Sequence, residues 1–156
     1  MLFRSDYRQL NDALFHAGLN SGSQFEWEDI PNRLHFYIVD LYKDAAGVLS
    51  YTIGVRSLDG AGPQARGVSL TPAANCAFTL ANTGAPDSTD IYRLSVTAQG
   101  PAGATAQLAS ALAAVKAGQT QVIPVYVTGA TRTVALKAQS ESDPAQSATA
   151  ACTVSR

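Results

Sequence analysis

The chain of 156 residues has room for one full domain, or for one domain of about 80 to 100 residues plus part of another. Eleven basic and twelve acidic residues leave a formal net charge of −1 at a charged fraction of 15%, with no cluster of Lys and Arg, so the electrostatic footprint of a nucleic-acid binder is missing. No run approaches the roughly 18 apolar residues of a membrane span, and the two cysteines, Cys76 and Cys152, are too far apart for the close-spaced pairs of zinc or redox motifs.

The N-terminal text MLFRSDYRQLNDALF lacks the apolar core and cleavage site of a signal peptide. It reads as a short helix over residues 6–16, with Ser5 as N-cap and Gly18 beyond its C-terminus. Tyr7, Leu10 and Leu14 share one face of it. The following stretch, GLNSGSQFEWEDIPN, mixes turn formers with Phe25, Trp27 and three acids, and reads as a loop that Pro31 closes. A hairpin comes next. LHFYIVDLY, residues 34–42, is apolar on both faces, whereas residues 48–55 alternate, with Leu49, Tyr51, Ile53 and Val55 on one side. Between them KDAAG is a turn in which Gly47 can take positive φ.

Around LDGAGPQARG the aromatics thin out and Ala and Thr take over, which places a boundary between residues 1–66 and 67–156. Beyond it strand signals recur at 67–70, 76–81, 91–98, 120–128, 132–139 and 148–154, the spacing of an antiparallel sandwich. One stretch conflicts with this pattern. In ATAQLASALAAVKAG, Leu108, Leu112 and Val115 have helical spacing in an alanine-rich context. A helix over 104–116, or two strands joined by a turn, both remain open. The second half is poor in Lys and Glu and rich in Ala, Thr, Ser, Gly and Val, a composition typical of exported bacterial β-domains, so the chain is expected to be secreted with its signal upstream.

The succession CAFTLANTG, DIYRLSV, VKAGQTQVIPVYV and TVALKAQSESDPAQSATAACTV resembles the immunoglobulin-like β-sandwich accessory domains of secreted bacterial hydrolases, the α-galactosidase-associated type, over residues 71–156. The resemblance implies a mainly β fold, an immunoglobulin/fibronectin-type-III-like sandwich of about seven strands, with the N-terminal helix and β-hairpin set before it. It implies a spacer or docking role and carries over no catalytic residue. The segment NRLHFYIVDLYKDAAGVLSYTIGVRSLDG is similar to the final hairpin of a domain preceding such a module in secreted metalloproteases of the immune-inhibitor type. It has no His-Glu-x-x-His zinc helix.

Four sets of residues invite a site. Alternation sends Cys76 and Cys152 toward the interior. A disulfide between them would close about 75 residues and stabilise the fold by roughly 4 kcal/mol; two buried thiols are the alternative. In the loop 82–90, Asp87 and Asp90 suggest calcium, but turn chemistry explains Asn82, Gly84 and Pro86 better, with Gly84 supplying positive φ. His16 and His35 with Glu26, Glu28 and Asp29 would make a metal or acid–base cluster, against which stand structural roles at a helix end and within a strand. Trp27, Tyr37, Tyr42 and Tyr51, with Phe25, would stack on sugars if they formed a flat exposed row, whereas burial fits a strand that is apolar on both faces.

The expected function is therefore that of a non-catalytic C-terminal accessory region of a secreted hydrolase. Its partner would be the catalytic domain upstream in the same polypeptide, with a polysaccharide or a cell surface as further contacts, and no cofactor, nucleic acid or membrane span enters the reading. A carbohydrate-binding module using the aromatics around Trp27, and a small stand-alone hydrolase, are the competing readings.

Overall fold

Two strands, Leu34–Lys43 and Leu49–Ser57, form the hairpin that the alternation demands, and its turn is built from one acid and one glycine. Asp44 accepts Val48 N–H on Oδ1 at 2.8 Å and Gly47 N–H on its carbonyl at 3.0 Å, and Gly47 sits at φ 85°. This comes from a computed structural model that describes residues 26–154, so the expected helix over 6–16, and with it His16 and Phe25, lies outside the described residues. The chain divides into two compact units, Met1–Leu58 and Asp59–Arg156.

In the first unit an additional strand, β1 (Glu26–Asp29), precedes the hairpin strands β2 (Leu34–Lys43) and β3 (Leu49–Ser57), and the sheet order is β1-β2-β3, all antiparallel. The expected loop is thus a strand followed by a tight turn. Pro31 occupies the second turn position, where its fixed φ fits. Asp29 accepts Asn32 Nδ2–H at 2.7 Å, and Arg33 N–H bonds the Ile30 carbonyl at 3.2 Å. Four residues with alternating acids were too short a run to announce a strand. The β2–β3 register shifts between Ile38 and Asp40, a bulge at Val39.

The second unit is mainly β, as expected. One sheet has the order β4-β5-β9, from Val68–Pro72, Phe78–Asn82 and Thr120–Ile123; the other has the order β12-β11-β6-β8, from Ser147–Thr153, Thr133–Ser140, Thr89–Gln99 and Leu112–Lys116. A two-stranded ribbon pairs β7 (Thr105–Leu108) with β10 (Val125–Thr128). Every pairing is antiparallel. Period-2 alternation drives one face of each strand inward. Phe78 and Leu80 of β5 meet Tyr92 and Leu94 of β6 and Val134, Leu136 and Ala138 of β11 in one buried cluster, so the two sheets face each other across a shared core.

The alanine-rich stretch resolves as two strands and a turn, β7 and β8. Leu108 and Leu112, which would lie on one face of a helix, are buried in separate strands, Leu108 opposite Val125 and Leu112 opposite Arg93. Between them Ser110 Oγ accepts Leu112 N–H at 3.1 Å, and the Ala111 carbonyl accepts Leu94 N–H at 2.8 Å. Sheet pairing and burial outweigh the few tenths of a kcal/mol per residue that helix propensity offers. The strand expected over 120–128 is divided, because Pro124 has no N–H for a ladder. The chain pairs with β5 before it and with β7 after it.

Candidate functional site

The antiparallel register of the first unit sorts its side chains onto two chemically different faces. Partners directly opposite share a face, so Glu26 with Tyr37 with Gly54, and Glu28 with His35 with Arg56, lie on one side. There Arg56 Nε donates to the Tyr37 hydroxyl at 2.6 Å, the hydroxyl lies 2.9 Å from His35 Nδ1, and His35 Nε2 lies 3.1 Å from Glu26 Oε2. A tautomer with the proton on Nε2 satisfies the whole chain: guanidinium to phenol, phenol to Nδ1, Nε2 to carboxylate. Glu28 Oε1 and Arg56 Nη2 stand farther from Nδ1, at 3.5 and 3.3 Å. The His35 and Tyr37 rings are stacked with centroids 4.0 Å apart, and both residues are buried.

The grouping of His35 with Glu26 and Glu28 is therefore real, while Asp29 turns away to bond Asn32. Both ring nitrogens of His35 are engaged by neighbouring side chains, so neither is directed at a substrate. Among the described residues no three His, Cys, Asp or Glu side chains converge to hold a metal ion. Sequence reasoning did not include Arg56 in this group. Its signal was the hairpin register, which sets Arg56 opposite His35 once the turn is known.

On the other face stand Trp27, Phe36, Ile38, Val55 and Ile53. The bulge at Val39 keeps the later pairs in step, placing Leu41 with Tyr51 on this face and Tyr42 with Ser50 on the polar one. Trp27 stacks on Phe36 with centroids 5.2 Å apart. The four aromatics considered for sugar stacking consequently form no single row. Trp27 and Tyr51 lie on one side, Tyr37 and Tyr42 on the other, and Tyr37 is fully buried. Period-2 alternation together with a one-residue bulge separates them.

In the second unit the loop 82–90 is a corner. Asn82, 2% exposed, donates from Nδ2 to the Val115 carbonyl at 2.8 Å and accepts Gly84 N–H on Oδ1 at 2.8 Å. Gly84 does not supply the positive φ expected of it; Asp87 does, at 61°. Glycine is required at 84 for space, since a Cβ there would lie 2.9 Å from the Ala65 carbonyl oxygen. Asp87 is solvent-exposed, 3.6 Å from Lys116 Nζ, whereas Asp90 is buried, accepting Ile91 N–H at 3.0 Å and Ser140 Oγ–H at 2.6 Å. A cleft of about 670 Å³ borders the loop, lined in part by Asn82, Pro86, Asp87 and Lys116.

Cys76 and Cys152 form a disulfide with Cα atoms 5.6 Å apart. Cys76 lies not on β5 but in a 3₁₀ turn, Ala74–Cys76, before it, where Asn75 and Cys76 both take positive φ. Cys152, on β12, packs against the core with Ala150 and Val154.

Comparison with known proteins gives this architecture a family. Residues 1–58 match a family model described as a middle domain, and residues 57–156 match one described as a Peptidase M6-like domain. The chain is 40% identical, over 192 aligned residues, to a protein of Arthroderma benhamiae named "Putative secreted metallopeptidase"; all of the chain is covered, but it spans 28% of that relative's length. No solved structure matches. The expected α-galactosidase-associated, bacterial origin is thus corrected to a peptidase-type module with a fungal relative. Because the second model covers well over half of its length, the chain belongs to the Peptidase M6-like domain family.

Proposed function

We propose that the chain is a non-catalytic, C-terminal accessory region of a secreted protease, acting as a spacer and docking element for a catalytic domain of the same polypeptide. The observation that carries this reading is the engagement of the chain's own chemistry-bearing groups with one another: both His35 nitrogens are held by side chains of the sheet, and Asp90 is bonded to Ser140 and Ile91. Such groups stabilise and orient strands. The spanning of 28% of a relative named as a secreted metallopeptidase supports placing the reaction elsewhere in a longer protein. The disulfide fits an oxidising, extracellular compartment.

The strand order supports an immunoglobulin-like sandwich as the form of this spacer. Omitting the β7–β10 ribbon, the first, second and fifth strands share one sheet and the third, fourth, sixth and seventh the other. Such a sandwich transmits position through stiff ladders and apolar area rather than through reactive groups.

The test compares the purified chain with the full-length gene product on casein and peptide substrates. Proteolysis is expected from the full-length product alone. Turnover by the isolated chain that disappears in His35→Ala would show a catalytic role and end the accessory reading.

A further inference from the structure

The disulfide of the second unit is not sealed in the core. A cavity of about 440 Å³ lies beside it, lined by both cysteines and, among others, by the exposed residues Asn75, Val127 and Thr153, so solvent enters it. The two cysteines meet this space unequally. Cys76 is 8% exposed, whereas Cys152 is partly exposed on β12, a strand that pairs with β11 alone. Among the described residues that line the cavity none is charged, so no carboxylate repels an approaching anion.

The backbone at Cys76 gives the bridge a reason to open. Asn75 and Cys76 stand in succession at φ 56° and 55°, in the left-handed region that a β-carbon disfavours and that residues other than glycine visit singly. The turn that holds them is closed by Ala77 N–H on the Ala74 carbonyl at 3.1 Å. With the bridge cut, Cys76 is no longer tethered to β12 and the pair can return to negative φ. Cleavage thus relieves backbone strain, and accessible or strained disulfides are the ones that exchange.

We propose that the Cys76–Cys152 bridge is a thiol-exchange site, attacked at Cys152 Sγ from this cavity by a low-molecular-weight thiol while the second unit stays folded. The incoming thiolate forms a bond to Cys152 Sγ as the bond to Cys76 Sγ breaks, and the electron pair leaves on Cys76 as a thiolate, which takes a proton from water. A second thiolate then attacks the added sulfur and frees the Cys152 thiolate, which is protonated in turn. Two small thiols are oxidised to their disulfide and the bridge is reduced to two thiols. The consequence is a β4–β5 connection released from β12. The proposal stands apart from the accessory-region reading.

The test treats the 156-residue chain with 2-mercaptoethanol, quenches samples with excess N-ethylmaleimide and maps both cysteines by mass spectrometry. Among singly thiolated molecules the adduct is expected on Cys152 and the maleimide on Cys76; the reverse assignment overturns the proposal. Exchange is expected to be first order in thiol and to keep a constant rate between zero and about 1 M urea. A rate that climbs with urea as steeply as the unfolded fraction means that thiol reaches the bridge only through unfolding, which also overturns it, and this measurement needs no mutation. Val127→Trp and Thr153→Trp, filling the cavity, should each slow exchange at least tenfold with an unchanged melting temperature. Tyr126→Trp, on the opposite face of β10, should leave the rate as it is. Cavity-filling variants that stay folded and exchange at the parent rate overturn entry through the cavity, and the proposal with it.

Discussion

Ser140 Oγ donates a 2.6 Å hydrogen bond to Asp90 Oδ2 across 50 residues of sequence, with both side chains buried. Ser140 Oγ in turn accepts Asp143 N–H at 3.0 Å, so the second residue of β6, Asp90, fastens the turn between β11 and β12. Two pieces of sequence that stand apart as motifs, the Asp before Tyr-x-Leu and the Ser-x-Ser-Asp-Pro turn, are one hydrogen-bonded unit. Replacing Asp90 by Ala removes an acceptor from a buried hydroxyl and a buried N–H, and should cost about 2 to 3 kcal/mol. Ser140→Ala should cost a comparable amount, and the double variant less than the sum of the two. Urea unfolding of the four proteins measures this; additive losses would show that the two groups act independently.

Asn82 ties the end of β5 to β8 through its side-chain amide. Asn82→Ala leaves the Gly84 N–H unpaired and removes a second hydrogen bond to the Val115 carbonyl, and is expected to lower stability by about 2 kcal/mol. Asn82→Asp keeps the acceptor but replaces the donor with a charged oxygen 2.8 Å from a carbonyl, and should be at least as damaging at neutral pH. Lowering the pH far enough to protonate that Asp should recover part of the loss, as read from the midpoint of thermal unfolding.

The disulfide closes a sequence separation of 76 residues. On loop-closure grounds its removal in Cys76→Ala/Cys152→Ala should destabilise the second unit by roughly 4 kcal/mol. Denaturant titrations with and without reductant should show the same loss in the natural protein and none in the double variant. A variant as stable as the natural protein would mean that packing of Val134, Leu136 and Phe78 holds the corner unaided.

Tyr92 is fully buried and its hydroxyl donates to the Gly67 carbonyl at 2.8 Å. Burial pushes its ionisation well above the ordinary phenol range, the Asp90 charge adds to the rise, and the Arg66 guanidinium opposes it. The unfolded chain releases this proton at about pH 10 while the folded chain keeps it. The folded state then binds more protons, so stability is intact below about pH 10 and falls as the pH rises above it, by up to ~1.4 kcal/mol per unit from this group. Tyr92→Phe should be less stable by about 1 kcal/mol at neutral pH through the lost hydrogen bond. Its disadvantage should shrink and then reverse in alkali, which a series of unfolding curves between pH 8 and 12 would detect.

Apolar patterning was enough to reveal the Leu34–Lys43 and Leu49–Ser57 hairpin and strand segments corresponding to β5, β6 and β11, because the period of a half-buried strand is written in consecutive residues. Turn chemistry was legible for the same reason: Asp44 with Gly47, and Asn82 with Gly84, act over two to four positions. Tertiary structure decided the rest. Residues 104–116 carry helical spacing and alanine, yet become two strands because Leu108 finds Val125 on β10, a partner invisible to any local window. The chemistry of the first unit was settled in the same way. His35 meets Glu26, Tyr37 and Arg56, and the four aromatics divide between two faces, only because of a register that includes one extra residue at Val39. Local sequence determined which segments extend and where they turn; long-range pairing, by bringing distant residues opposite one another, determined which side chains meet.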